Sequence, residues 1–285
     1  MRADVDLQID SVQNPPPGRG EGGSPRTGLG SGGAGTHPDR EGDPRDPRWR
    51  MLYRIAGVGA LMSAIFIPIQ VLVFITWPPP LDGTAVDWFG LFGENRLVGL
   101  LDLDLLLIAD NVFLVSILLA LYVLLRRVNG PLMTIATSFG FLGIVFFVAS
   151  NPAFEMLTLS ERYAAAATQA QRETFLAAGE AMLATWEGTA FQTYYILGSI
   201  AGIAIGAVML RSTIFSKLAG WMAILGNAVG LGLYIPMVGV YISVASVLFL
   251  EVWYILIARR LLLLGSRAIG VERYPGDAAA ATKMA

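Results

Sequence analysis

The sequence predicts an all-α membrane protein, a polytopic transmembrane helical bundle of six spans with cytoplasmic N- and C-termini. The chain is 54% hydrophobic and only 15% charged, whereas soluble domains carry about 25% charged residues. Its apolar residues form long runs, unlike the short periodic faces of a soluble core. Runs of about 20 apolar residues allow a helix to cross a bilayer. The basic residues concentrate in alternate loops, which is typical of a multi-span protein.

Six apolar runs are the predicted spans. They are expected at residues 55–77, 101–125, 132–150, 189–211, 218–234 and 240–258. Pro68 lies inside the first run and is expected to kink it. Turn-forming residues separate the runs: three prolines follow Trp77, and an Asn-Gly-Pro sequence begins at Asn129. An even number of spans places both termini on the same side of the membrane.

The basic residues of the loops indicate which side holds the termini. One set of loops holds Arg45, Arg48, Arg50, Arg54, Arg126, Arg127, Arg211, Lys217, Arg259, Arg260 and Arg267. The opposite loops hold only Arg96, Arg162 and Arg172, which carboxylates outnumber. Because loops rich in lysine and arginine stay in the cytoplasm, we expect cytoplasmic termini and a location in the cytoplasmic membrane of the cell.

The segments outside the spans differ in composition. Residues 1–48 are rich in glycine and proline and nearly free of large apolar side chains, so we expect a disordered tail. Residues 49–265 are the predicted transmembrane domain, and residues 266–285 a short flexible tail. The alanine-rich segment 153–188 is too polar to span, so we expect one or two amphipathic helices on the extracytoplasmic surface. Its TLSE sequence at 158–161 resembles a capping box that would start a helix.

Composition also excludes several kinds of site. The chain has no cysteine and one histidine, His37, in the N-terminal tail. Thiolate chemistry, iron–sulfur clusters and bis-histidine haem within the membrane are therefore excluded. A formal net charge of −2 leaves no excess of cations to neutralise nucleic-acid phosphates. We expect no catalytic residues, cofactor or metal site, and no nucleic-acid partner. The lipid bilayer is the expected partner, and a homo-oligomer or a partner membrane protein stays open.

Glycines recur at four-residue intervals in two of the predicted spans. Gly198, Gly202 and Gly206 lie in the fourth span, and Gly226 and Gly230 in the fifth. In a helix this spacing keeps the glycines on nearly one face, where another helix can approach closely. We expect them to pack helices within the chain, with a homodimer contact and a smooth pore wall as the alternatives.

Four polar residues form the candidate intramembrane polar site: Asp110, Asn111, Asn227 and Glu251. Ionisable groups inside a membrane are costly and often functional. Asp110 and Asn111 fit either a hydrogen-bonded structural pair or a path for a cation or proton. We expect Glu251 to face the bundle at the depth of Asn227, protonated and hydrogen-bonded to it.

Asp102 and Asp104 lie at the expected outer end of the second span. Two carboxylates in such a D-x-D pattern could hold a divalent cation and a substrate phosphate, as in lipid-linked sugar transferases. The other interpretation is that both are solvated residues that end the span.

The second half of the chain resembles an uncharacterised bacterial family of integral membrane proteins, known as a domain of unknown function. The resemblance rests on the order of an Ala-rich outer helix (ERYAAAATQAQRETFLAAGEAMLA), a glycine-bearing span, an IFSK turn, a Gly-Asn span and a closing WYILIARRLLLLG. It covers residues 50–265 and is strongest over 158–265. It implies a six-helix membrane domain, and it implies no activity or catalytic residues.

These observations favour a non-enzymatic membrane protein, either a small transporter, a channel-like component or an accessory component. The alternative is a membrane-embedded enzyme that acts on a lipid through Asp102, Asp104 or Asp110. A structural or regulatory protein whose tail or outer helix binds a partner is a third hypothesis. An enzyme is the less favoured class because the sequence shows no set of nucleophile and base residues.

Overall fold

The computed structural model describes residues 47–266, apart from the side chains of Pro47 and Val240. These residues all belong to one compact unit. The predicted disordered tail, residues 1–48, lies outside the described residues except for its last two positions. The predicted flexible tail, residues 266–285, lies outside them except for Ser266.

The described part of the chain is helical and contains no strand. Its α-helices are α1 (Arg50–Thr76), α2 (Ala85–Glu94), α3 (Arg96–Asp102), α4 (Leu105–Leu125), α5 (Gly130–Ser150), α6 (Ala153–Ala164), α7 (Gln169–Trp186), α8 (Thr189–Arg211), α9 (Lys217–Gly230) and α10 (Gly239–Ser266). Two 3₁₀ turns, Pro47–Trp49 and Leu231–Tyr234, precede α1 and follow α9.

Five helical stretches of the described chain are long and apolar enough to cross a membrane, by length and composition. They are Arg50–Thr76, Leu105–Leu125, Gly130–Ala164, Gln169–Arg211 and Tyr241–Ser266. The predicted membrane-type helical bundle is therefore confirmed at this level.

The remaining predicted span, 218–234, corresponds to α9, which is only 14 residues long. At ~1.5 Å per residue this helix is about 21 Å long, shorter than the ~30 Å hydrocarbon core. The 3₁₀ turn Leu231–Tyr234 extends α9 toward the end of the bundle opposite the basic residues.

Six helices form a closed ring in the order α1, α4, α5, α8, α9, α10, with α10 packed against α1. The two largest interfaces join α5 to α8 and α1 to α10. At the second of these, a Cβ on Gly57 would lie 2.8 Å from the Leu262 side chain, so the small residue permits the close approach. Near the helix ends, Arg54 Nε donates to the carbonyl oxygen of Gly265 at 2.9 Å. The first and last helices of the bundle are therefore direct neighbours.

The outward face of the ring is apolar. On α1 alone, large apolar side chains are exposed at intervals of three or four residues: Ile55, Val58, Leu61, Ile65, Ile69 and Leu72. Soluble monomers rarely expose an apolar surface of this extent. The inward face is packed by fully buried residues such as Ile117, Leu121, Met209 and Ile257. This arrangement suits a bundle surrounded by hydrocarbon.

The helices α2, α3, α6 and α7 form an outer layer at the end of the bundle opposite the basic residues. This outer layer has its own apolar core, which includes Trp88, Phe92, Met156 and Trp186. The rings of Trp88 and Trp186 meet edge to face with centroids 5.6 Å apart. The segment that links the first two predicted spans forms α2 and α3.

The predicted helical segment 153–188 contains two helices, and the expected capping box at 158–161 is wrong. The first helix, α6, already begins at Ala153, whose N–H donates to Asn151 Oδ1 at 3.0 Å. Thr158 therefore lies inside α6, and its hydroxyl donates to the carbonyl oxygen of Phe154. The capping box of this segment is formed by Thr168 and Gln171 at the start of α7.

The second span begins later than expected because the chain breaks between α3 and α4. Asp104 adopts a left-handed conformation with φ 64°, which is uncommon outside glycine and interrupts a helix. Two side-chain amides hold the break: Gln70 Nε2 donates to Leu101 O at 2.8 Å, and Asn151 Nδ2 to Leu103 O at 2.7 Å. The break is thus fixed by contacts from α1 and from the α5–α6 junction.

Candidate functional site

A cavity of ≈ 180 Å³ lies inside the ring. Residues of α4, α5, α8, α9 and α10 line it, and its polar lining consists of Tyr194, Tyr195, Ser199, Asn227, Ser246 and Tyr254. A cavity of this size with polar groups in its wall has room for several waters or one small solute. The cavity lies among five of the six helices of the ring.

The recurrent glycines form part of the cavity wall. Gly198, Gly202, Gly226 and Gly230 all line the cavity. A Cβ placed on Gly198 would have no atom within 4 Å, so this glycine faces open space. Gly206, two turns beyond Gly198 along α8, is different: its Cβ would lie 2.8 Å from the carbonyl oxygen of Gly220 on α9. One glycine stripe therefore serves both a close helix contact and a cavity wall.

Asn227 of α9 lies directly against Gly202. A Cβ on Gly202 would overlap the Asn227 carboxamide, so the present packing of α8 against Asn227 requires glycine at this position. Asn227 Nδ2 donates to Ala223 O, one turn back in its own helix, at 2.8 Å. The side chain is thereby held flat against α8 and borders the cavity.

Asp110 lies beside the cavity in a buried position between three helices. Its side chain is 8% exposed, and its Oδ2 accepts from the Tyr254 hydroxyl at 3.4 Å. Ser63 of α1 also lies next to the carboxylate. Oδ1 of Asp110 has no hydrogen-bond partner among the described residues. Helices α1, α4 and α10 therefore contribute a polar cluster at one level of the bundle.

Asn111, the neighbour of Asp110, is almost fully buried. Its Nδ2 donates to Leu107 O at 2.8 Å, and Oδ1 has no partner within the described chain. Tyr194 of α8 lies beside this carboxamide. Tyr194 and Tyr254 line the cavity, whereas Asp110 and Asn111 do not. The two tyrosines therefore lie between the cavity and this polar pair.

The structure places Glu251 and Asn227 in separate environments. Asn227 uses its amide for Ala223, and the described residues show no hydrogen bond between Asn227 and Glu251. Glu251 is partly exposed, and its buried Oε2 lacks a partner in the described structure. Glu251 lies about one helical turn before Tyr254 on α10, and the Tyr254 hydroxyl contacts Asp110.

The outer aspartates are buried, so the expectation that they are solvated is wrong. Asp102 is 0% exposed and Asp104 9% exposed. Burial raises the pKa of Asp102 to about 6. Burial also raises the pKa of Asp104 to about 7, although the Trp186 N–H opposes this shift and the Asp102 charge adds to it. The outer layer, with Trp186 beside Asp104, covers the break between α3 and α4 and keeps water away.

The D-x-D pair does not extend into a metal-type cluster in the described chain. Among residues 47–266, no group of three or more His, Cys, Asp or Glu side chains is close enough to hold a metal ion. The outer pair also stands apart from Asp110, which lies one to two turns further along α4. The three aspartates therefore belong to two sites.

Sequence reasoning missed Ser63, Tyr194 and Tyr254. The structure shows that the Tyr254 hydroxyl donates to the Asp110 carboxylate. One signal was available: Tyr254 follows Glu251 by three residues, which puts both on the same side of a helix. No comparable sequence signal points to Tyr194, since its role depends on how α8 is rotated against α4.

Comparison of the chain with protein-family models, with curated proteins and with solved structures gives no match. The resemblance of residues 50–265 to an uncharacterised bacterial membrane family therefore stays a prediction.

Proposed function

We propose that this chain is a non-enzymatic protein of the cytoplasmic membrane that handles a small solute, as a transporter, a channel-like component or an accessory component. The observation that carries this proposal is the cavity of ≈ 180 Å³ inside the ring, with the Asp110–Tyr254 pair beside it. Membrane bundles build ligand and ion sites from side chains on facing helices near such openings.

The proposal includes six spans with both termini in the cytoplasm. The closed ring uses all six predicted spans, including the short α9. At one end of the ring the described residues include no carboxylate and these basic residues: Arg48, Arg50, Arg54, Arg126, Arg127, Arg211, Lys217, Arg259 and Arg260. The outer layer, by contrast, is rich in carboxylates. This asymmetry supports an orientation with the basic end in the cytoplasm. Membership of the uncharacterised bacterial family is part of the same proposal.

Unsatisfied polar atoms near the cavity support the solute-handling role. Asp110 Oδ1, Asn111 Oδ1 and Trp253 Nε1 are buried without a hydrogen-bond partner in the described chain, and Trp253 lines the cavity. Buried polar atoms without partners are costly, and water or a solute in the cavity would satisfy the N–H of Trp253, which lines it. A buried carboxylate flanked by hydroxyl groups is also a suitable site for a proton or a small cation.

Flux measurements on proteoliposomes test this role. Vesicles that contain a pH-sensitive dye and a potassium gradient report proton or potassium flux. We expect Asp110→Asn to abolish the flux of the wild-type protein and Glu251→Gln to reduce it, because both neutralise acids at the polar cluster. Asp82→Asn, which alters an exposed acid outside the spans, is the matched control. Wild-type flux in both variants would remove Asp110 and Glu251 from the mechanism.

The lipid-acting enzyme is the second candidate, and one observation favours it. The pKa values of Asp102 and Asp104 are raised to about 6 and about 7, the range that suits a general acid or base at neutral pH. Their burial under Trp186 leaves little access for a substrate. Metal-dependent turnover of a lipid that is lost in Asp104→Asn would support this alternative.

A further inference from the structure

A groove of ≈ 390 Å³ lies at the basic end of the bundle, between the α8–α9 turn and the last part of α10. It is separate from the internal cavity, since the two share no lining residue. Its lining residues are Thr213, Ile214, Phe215, Ser216, Ala219, Leu256, Arg259, Arg260 and Leu263. The groove therefore combines apolar side chains with two arginines, which lie between Leu256 and Leu263 along α10.

The two arginines of the groove lack a counter-charge. Arg259 and Arg260 form no ion pair or hydrogen bond within the described part of the chain, and none of the groove's lining residues is acidic. Nε of Arg260 is shielded from solvent and has no acceptor there. A buried donor without an acceptor costs free energy, so an anion in the groove would stabilise this arginine.

The start of α9 adds a second source of positive potential. Ser216 caps this 14-residue helix, with its Oγ accepting from Ala219 N at 3.2 Å. Ser216 and Ala219 both line the groove, so the positive end of the helix dipole lies there. Helix N-termini and arginine guanidinium groups both bind phosphate well.

The apolar side chains of the groove favour an amphiphile over a free anion as its ligand. Leu256 and Leu263 lie on α10, and Leu263 is 45% exposed at the outside of the bundle. Ile214 and Phe215 form the opposite wall. An inorganic anion gains nothing from these side chains, whereas the glycerol and acyl portion of a lipid buries them.

From this combination we propose that the groove binds the phosphate headgroup of an anionic phospholipid in the membrane leaflet at the basic end. The phosphate pairs with Arg259 and Arg260 beside the α9 N-terminus, and the acyl chains extend along Leu256, on the bilayer side of the arginines. Basic pockets between membrane helices are known to bind anionic headgroups through these same forces. This site does not depend on the proposed handling of a solute by Asp110.

Native mass spectrometry of the full chain in detergent tests the proposal. The probes are phosphatidylglycerol and phosphatidylcholine with identical acyl chains. We expect the wild-type protein to retain phosphatidylglycerol preferentially, and R259Q/R260Q to reduce this preference roughly tenfold or more. R126Q/R127Q removes the same charge at the same end but outside the groove, so it keeps the preference. Equal retention of both lipids by the wild-type protein, or equal loss in both double variants, would overturn the proposal.

Two further measurements keep the test decisive. R259K/R260K retains the charges and is expected to keep most of the preference. If R259Q/R260Q fails to fold, the single variant R260Q takes its place and is expected to lose part of the preference. Inorganic phosphate at a large excess over phosphatidylglycerol is expected to leave the lipid bound. Displacement by inorganic phosphate at comparable concentration would show that a free anion, and no lipid, occupies the groove.

Discussion

The hydroxyl of Tyr254 donates to the carboxylate of Asp110 at 3.4 Å and so joins α10 to α4 across the interior of the bundle. These two helices are not neighbours in the ring, because α1 lies between them. Ser63 of α1 lies beside the same carboxylate. The Asp110 cluster therefore ties together three helices that are far apart in sequence.

Removal of the Tyr254 hydroxyl tests this connection. In Tyr254→Phe, Oδ2 of Asp110 loses its donor inside the bundle, and an unsatisfied buried acceptor costs about 1–3 kcal/mol. The distance of 3.4 Å indicates a weak bond, so we expect a loss of about 1 kcal/mol in the free energy of unfolding. Thermal unfolding in detergent measures it. Tyr241→Phe, at a side chain that is 77% exposed, is the control and should leave stability unchanged. Equal stability of Tyr254→Phe and the wild type would show that the bond contributes nothing.

Alanine substitutions separate the two roles of the glycine stripe. In Gly206→Ala, the new Cβ would lie 2.8 Å from a backbone oxygen of Gly220, and such overpacking costs about 1–3 kcal/mol. In Gly198→Ala, the new Cβ meets no atom within 4 Å, so the higher helix propensity of alanine adds up to about 1 kcal/mol of stability.

The comparison of the two variants is the measurement. We expect Gly206→Ala to lower the unfolding temperature and Gly198→Ala to keep or raise it, while methyl insertion at Gly198 reduces the cavity volume. Destabilisation of the same size in both variants would mean that Gly198 also packs against another helix, contrary to the structure.

The buried outer aspartates predict a dependence of stability on pH. Their folded-state pKa values are about 6 for Asp102 and about 7 for Asp104, above the ordinary pKa of an aspartate. Between about pH 4 and pH 7 the folded chain therefore holds protons that the unfolded chain has released. The free energy of unfolding falls as the pH rises through this window and stays low above it.

Asp104→Asn removes one of these titrations. We expect this variant to be more stable than the wild type at about pH 8 and to differ less from it at about pH 5, because the folded wild type is protonated there. Unfolding temperatures in detergent at both pH values provide the measurement. Asp82→Asn, at an exposed position, should preserve the wild-type slope. A wild-type slope in Asp104→Asn would contradict the burial of this carboxylate.

Hydropathy predicted where the long helices lie. The fourth predicted span, 189–211, coincides with α8, because Gly188 and Arg211 mark its ends clearly. Hydropathy gives no indication of α2, because Ala85–Glu94 is short and Gly90 and Gly93 interrupt its otherwise helical pattern. The aromatic side chains of α2 pack in the outer layer. Short helices of this kind depend on tertiary packing, which local composition does not encode.

The candidate site was harder to predict than the helices. Asp110 and Asn111 attracted attention because polar residues are rare in such helices. Their partners could not be derived, because α4 is apolar on every side and its pattern does not reveal which face turns inward. The same holds for the cavity, which depends on how five helices are rotated relative to one another.

The contact between α1 and α10 has a consequence for how the protein is made. Among the helices of the ring, α1 is synthesised first and α10 last, and the interface between them is one of the two largest in the ring. At about 5–20 residues per second, α1 waits roughly 10–40 s for this partner to be synthesised. During that interval the partly inserted chain presents one face of α1, including Gly57, to lipid or to other membrane proteins. Without α10 this face of α1 would have no partner in the ring, so the ring closes only after α10 has been synthesised.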